Sequence, residues 1–166
     1  ELLEKDGQKM LQYGPTEGYP FLNEQIAKYM GKMGVQCTPQ EILPTSGSQQ
    51  ALDLIGKIFI NEGDLIFVSK PTYLVALQAF NSYGPKYIGS VMDDDGLIPE
   101  EVEKVLKEHR PKFMYVISTF HNPAGVTIPE DRRKKLVELA EKYDTFIVED
   151  DPYSRLRFEG SNIPPL

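Results

Sequence analysis

Four short β-type runs constrain this chain more than any other feature: Leu65-Ile66-Phe67-Val68, Tyr87-Ile88-Gly89-Ser90-Val91, Phe113-Met114-Tyr115-Val116-Ile117 and Phe146-Ile147-Val148. Most are continuous and not alternating, which suits strands covered on both faces. The intervening segments supply the covers. Leu22, Ile26, Tyr29, Met30 and Met33 recur at helical spacing, as do Ala51, Leu52, Ile55, Ile58 and Phe59, then Leu74, Leu77 and Phe80, and finally Leu136, Leu139, Ala140 and Tyr143. A weaker helix around Val102, Val105 and Leu106 follows the turn Asp93-Asp94-Asp95-Gly96. Strand and helix thus alternate, which predicts an α/β fold: a three-layer α/β/α sandwich around a mostly parallel sheet.

Composition narrows the function. The 166 residues, 40% of them hydrophobic, suffice for one well-formed core, so one domain over 1–166 is the expectation. A net charge of −7 disfavours nucleic acid and anionic membrane, leaving a small-molecule partner. The single cysteine, Cys37, rules out an intramolecular disulfide or a multi-cysteine metal site and suits a reducing cytoplasm. A calcium loop at Asp93 would need acids where Val91 and Val102 stand. The cluster Arg132-Arg133-Lys134-Lys135, on a helix opened by Pro129, reads as a solvated face. The chain starts without Met and closes on Ile163-Pro164-Pro165-Leu166, which reads as an excerpt of a longer protein.

Four motifs fall at strand ends or helix starts, where α/β sheets bind ligands. Thr45-Ser46-Gly47-Ser48-Gln49-Gln50 lies between the strand-like pair Ile42-Leu43 and a helix. Its backbone N–H groups, Ser48 hydroxyl and Gln49 amide suit a phosphate, although Ser46 and Gln49 alone make a capping box. Tyr73, in Lys70-Pro71-Thr72-Tyr73, suits stacking on a flat ring or, equally, a half-buried core position. Asn122 precedes Pro123, which restricts its backbone and favours a cis bond, and its amide can donate to a phenolate-like oxygen; the neighbouring His121, without a nucleophile or metal partner, reads as structural. Thr145 to Tyr153 is a strand ending in Glu149, Asp150 and Asp151, then Pro152 and Tyr153. If that strand continues through Asp150, alternation puts Asp150 on the face of Phe146 and Val148 and Glu149 on the other, unless these acids merely cap the next turn. Together the motifs offer a phosphate seat, a stacking ring, an amide donor, and a carboxylate beside a phenol, the set that pyridoxal 5'-phosphate requires.

Tyr13-Gly14-Pro15-Thr16-Glu17-Gly18-Tyr19, Ser46 to Asp53, Pro71-Thr72-Tyr73, Asn122-Pro123-Ala124-Gly125 and Glu149 to Tyr153 run in order along the chain. In these motifs the chain resembles the large domain of a fold-type I pyridoxal-phosphate aminotransferase of class I/II, in the branch with aromatic, 2-aminoadipate, kynurenine and multi-substrate aminotransferases. The resemblance implies that Gly47, Ser48 and Gln49 form the phosphate cup and that Tyr73 stacks on the cofactor ring. It makes Asn122 and Tyr153 the ligands of the ring hydroxyl O3′ and Asp150 the partner of the pyridine nitrogen; Asp150, Tyr153 and Asn122 are then the catalytic set. Tyr13 resembles the tyrosine that crosses a dimer interface to the neighbouring phosphate, which implies a homodimer with shared active sites.

The implied activity is a cytoplasmic transamination of amino-acid metabolism, between an L-amino acid of aromatic or 2-aminoadipate-like type and a 2-oxo acid. One departure limits it. No lysine follows Lys142, whereas the family's Schiff-base lysine, phosphate-binding arginine and small domain lie downstream of the Asp150–Tyr153 motif. Residues 1–166 are therefore expected to be part of a large domain, unable to transaminate alone. Two alternatives share the fold: the effector domain of a transcription regulator, and another fold-type I enzyme such as a β-lyase or decarboxylase. His121-Asn122-Pro123 and Pro152-Tyr153 favour the transaminase over the regulator.

Overall fold

The apolar runs become strands of one sheet: β1 (Leu65–Lys70), β2 (Lys86–Asp93), β3 (Gly96–Leu97), β4 (Phe113–Val116) and β5 (Phe146–Glu149), in the order β3-β2-β1-β4-β5. β1 is parallel to β2 and to β4, β4 is parallel to β5, and β2 and β3 form an antiparallel hairpin at the Asp93 to Gly96 turn. This computed structural model describes residues 2–166, apart from the side chains of Leu2 and Met10. The helices are α1 (Leu2–Met10), α2 (Pro20–Lys32), α3 (Ser48–Phe59), α4 (Leu74–Asn81), α5 (Pro99–His109) and α6 (Glu130–Lys142). None of the described helices is long and apolar enough to cross a membrane.

Period-two alternation splits the core in two. Ile66, Val68, Phe113 and Tyr115 face α3 and α4 and pack with Leu52, Ala76 and Phe80. Phe67, Met114 and Val116 face the other way and pack with Val102 and Leu106 of α5 and Leu136 and Leu139 of α6. Helices therefore cover both faces, and the predicted three-layer α/β/α sandwich is present. Local signals start the helices as well: Pro99 opens α5 with Glu100 and Glu101 in its first turn and Lys107 and His109 in its last, which matches the helix dipole.

The described residues form two compact units, one running to Thr45 and the other Ser46–Leu166. In the first, Ile42 and Leu43 lie outside any strand. Asn23, the one residue of α2 that is buried, donates to the carbonyls of Glu17 and Ile42, and Gly18 (φ +94°) packs where a Cβ would meet Pro44 at 2.7 Å. This Asn23 clamp, and not the apolar face of α2, organises the glycine-rich stretch after Tyr13; Leu22 and Tyr29 stay exposed.

Three expectations about faces change. Ile58 and Leu74, on predicted apolar faces, are exposed, because α3 turns Leu52 and Gly56 inward, with the Tyr83 ring against Gly56, and α4 buries Ala76, Ala79 and Phe80. The larger correction concerns the basic cluster read as a solvated face. Arg133 is 3% exposed and donates to the carbonyls of Ile128 (2.8 Å), Ser118 (2.9 Å) and Pro164 (2.8 Å) and to Thr119 Oγ1 (2.7 Å), with Glu149 at 3.9 Å. Arg132 forks onto both oxygens of Asp93 at 2.7 and 2.8 Å. Lys134 and Lys135 do face solvent. A four-residue basic run spans a full helical turn, so one member necessarily points at the sheet, and a guanidinium there finds carbonyl acceptors.

Two variants test these contacts in the intact protein. Gly89 pairs with Val68, and a Cβ at Gly89 would lie 2.1 Å from the Val68 carbonyl oxygen. Gly89→Ala is expected to lower the unfolding free energy in urea by roughly 1–3 kcal/mol. Arg133→Met removes the donors to the Ile128 and Pro164 carbonyls and the cation beside Glu149, and should cost about 3–5 kcal/mol in the same titration.

Candidate functional site

The strand order sets where a ligand can sit. From β1 the chain moves to β2 on one side, then crosses to β4 on the other, so the order reverses between β1 and β4. Such a switch point leaves a crevice outside the carboxyl ends of the strands. Tyr73 follows β1, Asn122 follows β4 and Asp150 follows β5, so all three stand along this edge. α3 brings its N-terminus to the same edge: its last residue, Phe59, touches Phe146 at the start of β5 (6.0 Å between ring centres), and its 12 residues run back about 18 Å toward the carboxyl ends.

Gly47 is the N-cap of α3, at φ +86° and ψ 167°, a conformation that only glycine adopts readily. No side chain caps this helix, no acid occupies its first turn, and a Cβ at Gly47 would meet no atom within 4 Å. The capping box anticipated between Ser46 and Gln49 does not form. The helix starts one residue later, and Gln50 Oε1 accepts from the Ser46 N–H at 2.6 Å. Ser48 and Gln49 therefore lie exposed in the first turn. This is the geometry of an anion seat.

Tyr73 is the half-buried N-cap residue of α4 and packs on the α3/α4 core. The Lys70-Pro71 and Asn122-Pro123 bonds are both cis. Asn122 is half-buried, and the segment around it is pinned at several points. His121, 3% exposed, accepts the Ala124 N–H at Nδ1 (3.3 Å), which leaves the ring proton on Nε2 to donate to Ser69 Oγ at 2.9 Å. Burial pushes the imidazole below its ordinary pKa, so it is a neutral tie between the end of β1 and the Asn122 loop. The Arg157 guanidinium lies 4.7 Å over the Phe120 ring, joining the segment after Tyr153 to the one before Asn122.

The three acids at the end of β5 part company. Asp150 continues the pairing, its N–H donating to the Val116 carbonyl at 2.9 Å. Its carboxylate therefore points to the α3/α4 face with Val148, and Oδ2 accepts from the Tyr115 hydroxyl at 2.7 Å. The Tyr73 and Tyr153 phenols also bear electrostatically on the Tyr115 hydroxyl, which sets both in the same region of the carboxyl edge. Glu149 points to the other face, where Ser118 Oγ and the Leu166 N–H donate to it; burial pushes its carboxyl up, against the pull of these donors and of Arg133. Asp151 accepts the Ser154 N–H (3.1 Å) and caps the short 3₁₀ turn Ser154–Leu156, so capping explains only this acid.

Tyr13 belongs to the other compact unit and is fully exposed. Two residues escaped the sequence reading. Tyr115 sat unnoticed in an apolar run, although a buried tyrosine hydroxyl needs a partner. Arg133 was hidden in a basic cluster. No group of three or more potential metal ligands occurs among the described residues.

Comparison with known proteins identifies the family. The family model for aminotransferase class I and II matches residues 1–165. Aromatic-amino-acid aminotransferase 1 of Thermococcus litoralis is 48% identical, over 100% of this chain and 41% of its own length. The crystal structure of Pyrococcus horikoshii kynurenine aminotransferase, in complex with PMP, superposes with a TM-score of 0.93 at 50% identity, covering 99% of this chain and 42% of that one. The α-aminoadipate aminotransferase LysN of Thermus thermophilus, complexed with N-(5'-phosphopyridoxyl)-L-leucine, gives 0.91 at 40% identity, covering 99% and 41%. The chain thus spans about two fifths of the length of these relatives, and within that span it belongs to the class I and II aminotransferase family.

Proposed function

We propose that the complete protein is a pyridoxal-phosphate-dependent aminotransferase, moving an amino group from an L-amino acid of the aromatic or 2-aminoadipate type to a 2-oxo acid. The observation that carries this reading is the Asp150 carboxylate, held at the carboxyl edge of the sheet by the Tyr115 hydroxyl and by its own backbone bond to Val116. Relatives named for aromatic, 2-aminoadipate and kynurenine substrates support the substrate class. A cytoplasmic homodimer is part of the proposal, with Tyr13 reaching the partner's phosphate seat, as is a downstream segment bearing the Schiff-base lysine.

The residues present fit the cofactor. The start of α3 carries no side-chain cap and no acid in its first turn, and phosphate is the anion such a terminus takes. The donor set along the edge, with one carboxylate, a side-chain amide and phenols, matches a protonated pyridine bearing a hydroxyl. When bound, pyridoxal phosphate supplies an electron sink for the pair left on Cα when its proton departs, and carries the amino group between substrates.

The chain's own residues then have separate tasks. The backbone of Gly47 and Ser48, with the Ser48 hydroxyl and the Gln49 amide, binds the phosphate. Tyr73 covers one face of the ring and excludes water from it. Asp150 holds a proton on the ring nitrogen, since a carboxylate beside that nitrogen favours its charged form. Asn122 and Tyr153 orient the ring by hydrogen bonds to O3′. His121 takes no part in proton transfer, both its nitrogens being committed to Ser69 and Ala124.

Four observations on the complete gene and protein test this. The open reading frame should encode a lysine shortly beyond Leu166, and the purified protein should show a visible absorbance band with pyridoxal phosphate; a frame without that lysine, or with a DNA-binding module upstream, overturns the proposal. Asp150→Asn should lower kcat with an aromatic amino acid and 2-oxoglutarate by about a hundredfold or more. Gly47→Ala, which forces a Cβ onto a φ of +86°, should weaken cofactor binding about tenfold in an absorbance titration.

A further inference from the structure

Asp150 is positioned by β4 at two points. Its backbone N–H donates to the Val116 carbonyl at 2.9 Å, and its Oδ2 accepts the Tyr115 hydroxyl at 2.7 Å. The register explains the second contact: Tyr115 stands opposite Val148, and Asp150, just past β5, is the next residue on the same face, within diagonal reach of a tyrosine. The Tyr115 ring cannot swing away. It is wholly buried and meets Phe80 of α4 edge-on, 5.8 Å between ring centres and 81° between planes. Phe80 in turn meets Phe113 edge-on at 5.5 Å, so three aromatic rings set the direction of the hydroxyl.

We propose that Tyr115 is a positioning residue for the ring-nitrogen carboxylate: its hydroxyl engages Oδ2 of Asp150, leaves Oδ1 for the cofactor nitrogen, and favours the proton on that nitrogen over the proton on Asp150. This rests on the reading of Asp150 given under the proposed function. The physical argument is a partition. A proton shared between Asp150 and the ring nitrogen sits on the nitrogen when the carboxylate anion is stabilised, and a half-buried carboxylate has few waters to do that. A donor on Oδ2 stabilises the anion and does nothing for the protonated acid at that oxygen. Tyr115 serves as a donor at every working pH, because burial and the adjacent Asp150 push its phenol far above the ordinary range.

The test uses the complete protein loaded with pyridoxal phosphate isotopically labelled at the ring nitrogen, whose NMR shift reports protonation. Tyr115→Phe keeps the ring and removes only the hydroxyl. Its nitrogen signal is expected to move toward that of neutral pyridine and kcat to fall about tenfold, the worth of one charge-assisted hydrogen bond. KM for the amino acid should change by less than about twofold, since a group acting only on the ring nitrogen leaves substrate binding alone. Fluorotyrosine at position 115, a stronger donor of nearly the same shape, should hold the signal at or beyond the wild-type pyridinium position, and it decides the matter if the Phe variant fails to fold. Wild-type signal and kcat in Tyr115→Phe, or a neutral pyridine signal with the fluorotyrosine, overturn the proposal and leave the transaminase reading intact. A wild-type protein that binds no cofactor overturns both.

Discussion

Parallel pairing of β4 between β1 and β5 is the constraint on which the other features depend. Parallel strands point their carboxyl ends the same way, so residues far apart in sequence, Tyr73, Asn122 and Asp150, come to one edge without any direct contact among them being needed. The strand order reverses between β1 and β4, the place where sheets of this class bind ligands. The same pairing fixes alternation: one residue's slip along β5 would exchange Asp150 with Glu149 and present the wrong carboxylate. The Asp150 N–H bond to Val116, one step past the last regular pair, holds that register where it matters.

A second constraint lies on the opposite face. Arg133 is a buried cation whose hydrogen bonds go mostly to backbone carbonyls, so it acts as a peg joining α6, the end of β4 and the chain's last residues. Glu149 offsets its charge, and Ser118 and Leu166 help to keep that carboxylate satisfied. Burial of this pair costs free energy that well-packed apolar residues would avoid, and what it supplies is position. Ser118 and Thr119, held by Arg133, lead directly into the loop that His121 ties to Ser69. The Asn122 segment is therefore pinned by two independent ties, one from Arg133 and one from Ser69.

The fold was largely legible from the sequence because its signals are local. Continuous runs such as Phe113–Val116 mark strands buried on both faces, and Pro99 with its acids marks a helix start whatever surrounds it. The site was legible in part for the same reason: glycine before a helix, asparagine before proline and acids at a strand end each carry their own local chemistry. Periodicity failed at Leu22, Tyr29, Ile58, Phe59 and Leu74, where the apolar stripe is wider than the buried one; in α3 the buried side is set by Tyr83 and Phe80, which pack against Gly56. The capping box at Ser46 failed by one residue, since the positive φ of Gly47 moves the cap there.

What the sequence determined by itself, then, was the alternation of elements, the class of sheet and the side chains that reach its carboxyl edge, because propensity, pattern and turn chemistry act over a few residues. Tertiary structure alone decided that the strand pairing extends to Asp150, that Tyr115 donates to its carboxylate, and that Arg133 is buried and not solvated. Those outcomes depend on partners 35 residues away for Tyr115 and Asp150 and 31 for Ser118 and Glu149, and no local pattern encodes a register or a hydrogen bond across such a distance.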